Sequence, residues 1–126
     1  MYEKVIIITN NVLTYNTYKE KKNAILIDGT LMDVLLKVRD YIHTGHVLLT
    51  HPLMGSVKPN ETPFKSVAIS YICENNVDLD SLMYIEKSIE TANKMLKNKP
   101  LREWQESVLE DFRAIDFSLI SNAFNN

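Results

Sequence analysis

The strongest constraint on the fold is a run of β-branched residues near the amino terminus, residues 4–9, with the sequence KVIIIT. Four apolar residues follow one another in this run without alternating with polar residues. Such a pattern is typical of a strand that is buried on both faces of its sheet. The run therefore predicts an α/β protein in which this strand lies centrally in a parallel or mixed sheet, with helices packed around it.

Three later segments have the composition of strands: residues 23–28 (NAILID), 46–50 (HVLLT) and 65–73 (KSVAISYIC). The strand–helix–strand unit over residues 23–50 predicts a right-handed parallel crossover. Only 14 residues, three of them prolines, separate the third strand from the fourth, so no crossover helix fits there. We expect the fourth strand to run antiparallel to the third at a sheet edge. The predicted fold is a small Rossmann-like layered domain with a mixed, mostly parallel four-stranded sheet.

Helical patterns connect and follow these strands. Residues 12–22 predict a short, irregular helix, and residues 31–43 predict a long one with Thr30 at its N-cap and Gly45 as its left-handed terminator. The C-terminal part, residues 78–124, predicts two amphipathic helices, the first beginning at Asp78 or Asp80 and the second near Pro100.

The last helix has more apolar residues than one stripe needs. Its predicted buried stripe consists of Leu101, Trp104, Val108, Phe112, Ile115 and Leu119. Four further apolar residues lie off the stripe: Leu109, Phe117, Ile120 and Phe124. These residues either complete the core or form a self-association surface such as a homodimer interface.

Composition and charge narrow the function classes. The 126 residues predict one domain, residues 1–126, with its sheet-forming part in residues 1–73. A net charge of −2 predicts no nucleic-acid partner, and Lys19, Lys21 and Lys22 are interpreted as a solvated turn. The single cysteine, Cys73, is interpreted as a small buried residue in a cytoplasmic protein. No apolar run approaches the roughly 20 residues that span a bilayer, so no membrane partner is expected.

Function is expected in a polar loop, residues 50–65, with the sequence THPLMGSVKPNETPFK. His51, Lys58 and Thr62 each precede a proline, which biases them to extended conformations at little further entropic cost. The loop leaves the predicted third strand at its carboxyl end, where α/β sheets bind ligands, and the end of the first strand lies at the same edge. The candidate ligand-binding residues are Thr9, Asn10, Asn11, Thr50, His51, Gly55, Ser56, Lys58, Asn60, Glu61 and Thr62. For the two adjacent asparagines, a purely structural role in capping the next segment is an equal alternative.

Two functions fit this loop. In the first, Lys58 and His51, with backbone amides near Gly55, hold a small anionic metabolite, or the loop recognises a partner protein. In the second, the protein is a small enzyme acting on a carboxylate or phosphate metabolite, with Glu61 or His51 as base and Lys58 holding the anion. The chain contains neither a P-loop nor a GxGxxG motif, so no nucleotide cofactor is predicted. Its three histidines belong to different predicted elements, and no metal site is predicted.

The sequence resembles one known family. The resemblance rests on residues 48–70, LLTHPLMGSVKPNETPFKSVAIS, on the opening KVIIITNN and on VLLKVRDYIHTG, residues 34–45. These stretches are similar to the GrdX family of small proteins, which are encoded beside glycine, sarcosine and betaine reductase components in amino-acid-fermenting anaerobes. The resemblance implies a cytoplasmic accessory role, with reductase subunits as candidate partners. It implies no catalytic residue and no cofactor.

Overall fold

A computed structural model describes residues 4–53 and 58–124. Three strands form one sheet: β1 (Val5–Thr9), β2 (Asn23–Leu26) and β3 (Ser66–Ser70). The helices of the described part are α1 (Val12–Tyr18), α2 (Leu31–Thr44), α3 (Leu79–Asn98) and α4 (Glu106–Phe124). The candidate residues Gly55 and Ser56 lie outside the described ranges.

The central position predicted for the first strand is confirmed. β1 lies between β2 and β3, and all five of its residues are buried. Ile6 and Ile8 pack with α2 and α3 on one face of the sheet. Val5 and Ile7 point to the other face, where α1 and α4 supply Tyr18 and Ile120. The alternation of side chains along a strand thus divides one apolar run between two helical layers.

The prediction of a four-stranded, mostly parallel sheet is wrong. The described sheet has three strands: β1 pairs in parallel with β2 and antiparallel with β3. β3 was expected at an edge beside residues 46–50, but it forms its regular ladder with β1 instead. Residues 46–50 do run antiparallel to β3, as predicted, through a single isolated bridge between Leu48 and Ile69.

Side chains explain why residues 46–50 do not become a regular strand. The Val47 amide donates to Ser70 Oγ at 2.8 Å, and the Leu48 amide donates to Ser81 Oγ at 2.9 Å. The Ala68 amide of β3 donates to Thr50 Oγ1 at 3.0 Å instead of to a backbone carbonyl. These hydroxyl groups take three of the backbone donors that a strand ladder would have paired, and backbone bonds such as that from the Leu49 amide to the Ala68 carbonyl oxygen remain as fragments of the ladder.

The predicted helix ends are confirmed for α2. Thr30 and Asp33 form a reciprocal capping box, and Gly45 ends the helix in the left-handed region at φ 119°. α1 is the short helix that was expected, and Asp78 is the N-cap of α3.

Three predictions are wrong: the start of the last helix, the burial of Ile115 and the burial of Cys73. The last helix begins at Glu106 and not near Pro100, and Ile115 of its predicted stripe is 44% exposed. Its buried face instead contains Asp116 and Ile120, while Phe117 and Phe124 pack against Tyr18. Some of the apolar residues off the predicted stripe thus complete the core. Cys73 is exposed, and its thiol lies 2.9 Å from the Thr44 carbonyl oxygen.

Candidate functional site

The carboxyl end of β1 meets the amino end of β3, because these strands are antiparallel and Thr9 pairs with Ser66. α1 begins directly after β1, and α4 packs across the same end of the sheet. Six polar residues from these elements are buried together, and we call them the β1–α4 cluster. Its members are Thr9, Asn11, Thr14, Lys65, Ser66 and Asp116.

Asp116 is the acceptor on which this cluster converges. Ser66 Oγ donates to Asp116 Oδ2 at 2.6 Å, and Asn11 Nδ2 donates to the same oxygen at 2.9 Å. Thr9 Oγ1 lies 2.7 Å from Ser66 Oγ and accepts the Asn11 amide at 2.9 Å. Since the Ser66 hydrogen points to the carboxylate, the Thr9 hydroxyl donates to Ser66. The result is a continuous chain of hydrogen bonds from β1 through β3 to α4.

Burial shifts both charged groups of the cluster away from their charged forms. Burial raises the pKa of Asp116, and the hydrogen bonds from Ser66 and Asn11 and the Lys65 ammonium partly oppose that shift. Burial lowers the pKa of Lys65, and the Asp116 carboxylate partly opposes it. No ion pair within 4.0 Å joins Lys65 to a carboxylate in residues 4–53 and 58–124. The two groups therefore attract each other across a gap inside the protein.

A small cavity adjoins these two residues. Its lining comes from the end of the polar loop and from one side of α4: Thr62, Phe64, Lys65, Ile115, Asp116 and Leu119. The cavity volume is about 10 Å³, close to the smallest volume that holds a water molecule. This space fits a single water beside Lys65 and Asp116, but it does not fit a metabolite.

Asn10 and Asn11 use their side chains to hold the site together. Asn10 Nδ2 donates to the carbonyl oxygens of Gly29 at 3.1 Å and Pro63 at 2.8 Å. Asn10 Oδ1 accepts the Lys65 amide at 2.9 Å. Asn11 caps α1 through the Leu13 amide and donates to α4. These contacts match the structural alternative for the asparagines, and their assignment as ligand-binding residues stays a prediction.

Replacing Asn10 by alanine removes three hydrogen bonds at once. We expect Asn10→Ala to lower the free energy of unfolding by about 2 kcal/mol, because the Lys65 amide and two carbonyl groups lose their partner. Urea unfolding monitored by circular dichroism measures the change. Asn16→Ala is the matched control: Asn16 is exposed on α1, and we expect a change within about 0.5 kcal/mol. Equal stability of the two variants would contradict the role given to Asn10.

The polar loop presents three of its candidate residues to solvent. The Glu61 amide donates to the Lys58 carbonyl oxygen at 2.9 Å, which closes a four-residue turn with Pro59 at its second position. Lys58 and Glu61 are exposed at the two ends of this turn, while Pro59 is buried. His51 is also exposed, with its ring 5.8 Å from the Tyr84 ring. The turn therefore brings Lys58 and Glu61 close together, as the sequence hypothesis requires.

Two further candidate residues, Thr50 and Thr62, form hydrogen bonds at the ends of the loop. Thr50 Oγ1 accepts the Ala68 amide at 3.0 Å, and the buried Thr62 accepts the Phe64 amide at 3.3 Å. Asn60 is half-buried, and its Oδ1 is buried without a hydrogen-bond partner among the described residues. The described parts of the loop thus combine hydrogen-bonded ends, which we call its base, with three exposed polar side chains: His51, Lys58 and Glu61.

Lys65, Ser66 and Asp116 were not among the sequence candidates. The signal for Asp116 was its spacing, since it lies four residues after Phe112 and four before Ile120. An aspartate at this position of an apolar helical face is expected to be buried and to need partners. Lys65 gave no such signal, because a lysine at the start of a strand is usually exposed.

A comparison with the profiles of known families shows which family the chain belongs to. The profile of a family described as GrdX-like protein matches residues 6–125. The chain belongs to the GrdX-like protein family. The match runs from β1 to the end of α4, so it includes both the polar loop and the GrdX-like chain's buried Asp116. It also reaches the C-terminal helices, in which no family motif was recognised from the sequence.

Two other comparisons found no further related protein. Neither the search of curated proteins nor the search of solved structures found a match. In the described part of the GrdX-like chain, no helix has both the length and the hydropathy needed to cross a bilayer. Within the same ranges, no three His, Cys, Asp or Glu side chains are grouped closely enough to hold a metal ion.

Proposed function

We propose that this GrdX-like protein is an accessory binding protein of the glycine reductase system. Membership of the family suggests the link to that system. In this proposal the exposed side chains of His51, Lys58 and Glu61 recognise either a small anionic metabolite or a surface of a reductase subunit. Lys58 supplies the positive charge, and Glu61 and His51 supply further polar contacts.

The observation that carries the proposal is the turn from Lys58 to Glu61. Its ends bear opposite charges, both side chains are exposed, and the buried Pro59 between them holds the backbone. No salt bridge within 4.0 Å ties Lys58 or Glu61 to another residue of the described ranges. Their charges are thus available to a binding partner.

The base of the loop supports recognition by limiting its motion. Asn10 bonds to Pro63 and Lys65 on one side of the turn, and Thr50 bonds to β3 on the other. A loop that is ordered before binding loses less conformational entropy when it binds. The anchoring contacts therefore favour a binding role over that of a plain connection between residues 50 and 65.

Isothermal titration calorimetry tests the metabolite form of the proposal. The ligands are glycine, sarcosine, betaine, acetate, acetyl phosphate and inorganic phosphate. We expect at least one anion to bind, and Lys58→Ala to weaken its binding by up to about fivefold, because an exposed ion pair contributes up to roughly 1 kcal/mol. Lys97→Ala is the control, since Lys97 is exposed in the last turn of α3, thirteen residues from Tyr84, which contacts His51 of the loop.

Capture of reductase subunits on the immobilised protein tests the partner form. We expect capture to fall in the Lys58→Ala and Glu61→Ala variants and to persist in Glu110→Ala, which removes an exposed charge from α4. The proposal fails if no anion binds and no subunit is captured. It also fails if binding is found but survives both loop substitutions.

A second candidate function, a small enzyme, is favoured by the Lys65–Asp116 pair. Opposite pKa shifts on two neighbouring buried groups are frequent in acid–base sites. Catalysis there would require the loop to open, because the cavity beside the pair holds no more than about one water molecule. Turnover of a carboxylate or phosphate metabolite that is lost in Lys65→Met, with the fold retained, would place this candidate first.

A further inference from the structure

A second polar depression lies at the amino end of β1, one strand length, about 15 Å, from the polar loop. Its volume is about 370 Å³, and we call it the lysine depression. Its lining consists of Lys4, Val5, Lys19, Glu20, Lys21, Lys22, Asn23 and Tyr71. Three separate segments contribute: the start of β1, the connection from α1 to β2, and the first residue after β3.

The depression concentrates positive charge in a protein that is acidic as a whole. Four lysines line it against a single glutamate, whereas the complete chain has a net charge of −2. Three of these lysines, Lys19, Lys21 and Lys22, are already close together in the sequence, where they were interpreted as a solvated turn. The fold adds Lys4 and Tyr71 to that cluster, and this addition changes the interpretation.

Aromatic rings hold three of the four ammonium groups. Lys4 Nζ lies 5.5 Å from the centre of the Tyr71 ring, and Lys19 Nζ lies 5.8 Å from that of Tyr15. Lys22 Nζ lies 4.8 Å from the centre of the Phe124 ring. Such cation–π contacts are attractive and restrict long side chains without neutralising them. These contacts leave the three lysines charged, and all three line the depression.

The backbone around the depression is fixed by regular structure. The Tyr71 amide donates to the Lys4 carbonyl oxygen at 3.3 Å, which extends the β1–β3 pairing by one step. The Lys22 amide donates to the Tyr18 carbonyl oxygen at 2.8 Å, and Asn23 begins the β2 pairing with Ile6. The positive groups thus lie on a preformed concave surface.

We propose that the lysine depression binds a small molecule that carries two or more phosphate charges. Lysine ammonium groups are suited to phosphate oxygens, and several of them favour a multiply charged ligand over a single carboxylate. The volume lies at the lower end of the range for small-molecule sites, which matches a diphosphate or a compact phosphate ester. The acidic remainder of the protein disfavours a polyanionic polymer, whose charge would extend beyond the depression.

Calorimetric titration with inorganic pyrophosphate at low ionic strength tests this site. We expect saturable one-to-one binding that weakens as sodium chloride is added. Lys4→Ala and Lys21→Ala are each expected to raise the dissociation constant about threefold, and the double variant about tenfold. Lys94→Ala, on α3, is the matched control and is expected to bind as the unmodified protein does.

The outcomes separate this site from the polar loop. Pyrophosphate binding that persists in Lys58→Ala and falls in the Lys4→Ala/Lys21→Ala variant supports the lysine depression, whether or not the loop binds anything. The absence of binding at millimolar pyrophosphate overturns the proposal, as does equal binding by the double variant. Binding of a single-stranded oligonucleotide or of anionic vesicles without binding of pyrophosphate overturns it as well.

Discussion

Replacing Asp116 by alanine is expected to lower the free energy of unfolding by about 3 kcal/mol. The substitution removes the acceptor of the Ser66 hydroxyl and the Asn11 amide group, which are both buried. It also takes away the carboxylate that attracts the buried Lys65 ammonium. Uncompensated buried donors and an uncompensated buried charge are among the few causes of losses this large.

Urea unfolding of matched variants checks that expectation. Asp111→Ala removes an exposed aspartate from the same helix and is expected to change stability by less than about 0.5 kcal/mol. Replacing both charges, in Lys65→Met combined with Asp116→Leu, should recover only the part of the loss that comes from the unpaired Lys65 charge, because the Ser66 and Asn11 donors still lack their acceptor. If Asp116→Ala unfolds at the same urea concentration as the unmodified protein, the cluster does not stabilise the fold.

The pKa of Asp116 gives this prediction a pH dependence. The folded protein holds the carboxyl pKa above its ordinary value of 3.8, so this carboxyl binds a proton more tightly in the folded state than in the unfolded state. The stabilisation from this shift is complete below pH 3.8 and is lost as the pH rises through the folded-state pKa. We therefore expect the stability of the unmodified protein relative to Asp116→Asn to fall as the pH rises above about 4 and through the folded-state pKa. A constant difference across that range would contradict the assignment.

Replacing Gly45 by alanine is expected to lower the free energy of unfolding by about 3 kcal/mol. Gly45 ends α2 at φ 119°, a region that side-chain-bearing residues rarely adopt. A Cβ atom there would overlap the carbonyl oxygen of Glu74, which belongs to the backbone and cannot rotate away. The Glu74 amide donates to the Gly45 carbonyl oxygen at 2.9 Å. Moving Glu74 away from the new Cβ atom would therefore strain this hydrogen bond.

Gly29→Ala is the matched comparison. A Cβ on Gly29 would meet the side chain of Asp33, which can move, and Gly29 does not have a positive φ. We expect a smaller loss of about 1 kcal/mol, because moving Asp33 disturbs the capping box with Thr30. Thermal unfolding of the two variants side by side gives the comparison. A loss at Gly45 no larger than that at Gly29 would contradict the steric argument.

The sequence predicted those parts of the fold that local rules determine. The run at residues 4–9 gave the central strand, and Thr30 and Gly45 gave the ends of α2, because burial on two faces and helix capping act over a few residues. The number of strands was not predictable in the same way. Residues 46–50 have strand composition, but the amides of Val47 and Leu48 bond to the hydroxyls of Ser70 and Ser81, which come from distant parts of the chain.

In the candidate site, too, local sequence rules predicted one part, the polar loop, and did not predict the other, the β1–α4 cluster. The prolines indicated the polar loop and its candidate residues, but the turn from Lys58 to Glu61 is known only from the structure. The β1–α4 cluster depends on the rotation of α4 about its axis, and a stripe through Ile115 suited the sequence as well as one through Asp116. Only the packed structure distinguishes these rotations, by placing Asp116 on Ser66 and leaving Ile115 half-exposed.

Asp116 therefore also has a consequence for the order of folding. Its bond to Asn11 joins residues 105 positions apart, and contacts between such distant residues form late, because they require closure of long loops. A rotation of α4 by one residue, about 100°, would carry the carboxylate away from Ser66 and Asn11, so the observed register is the one that pairs it with these donors. We expect α4 to attach last and in that register, and pulsed hydrogen exchange during refolding should show its amides protected after those of β1 and α2.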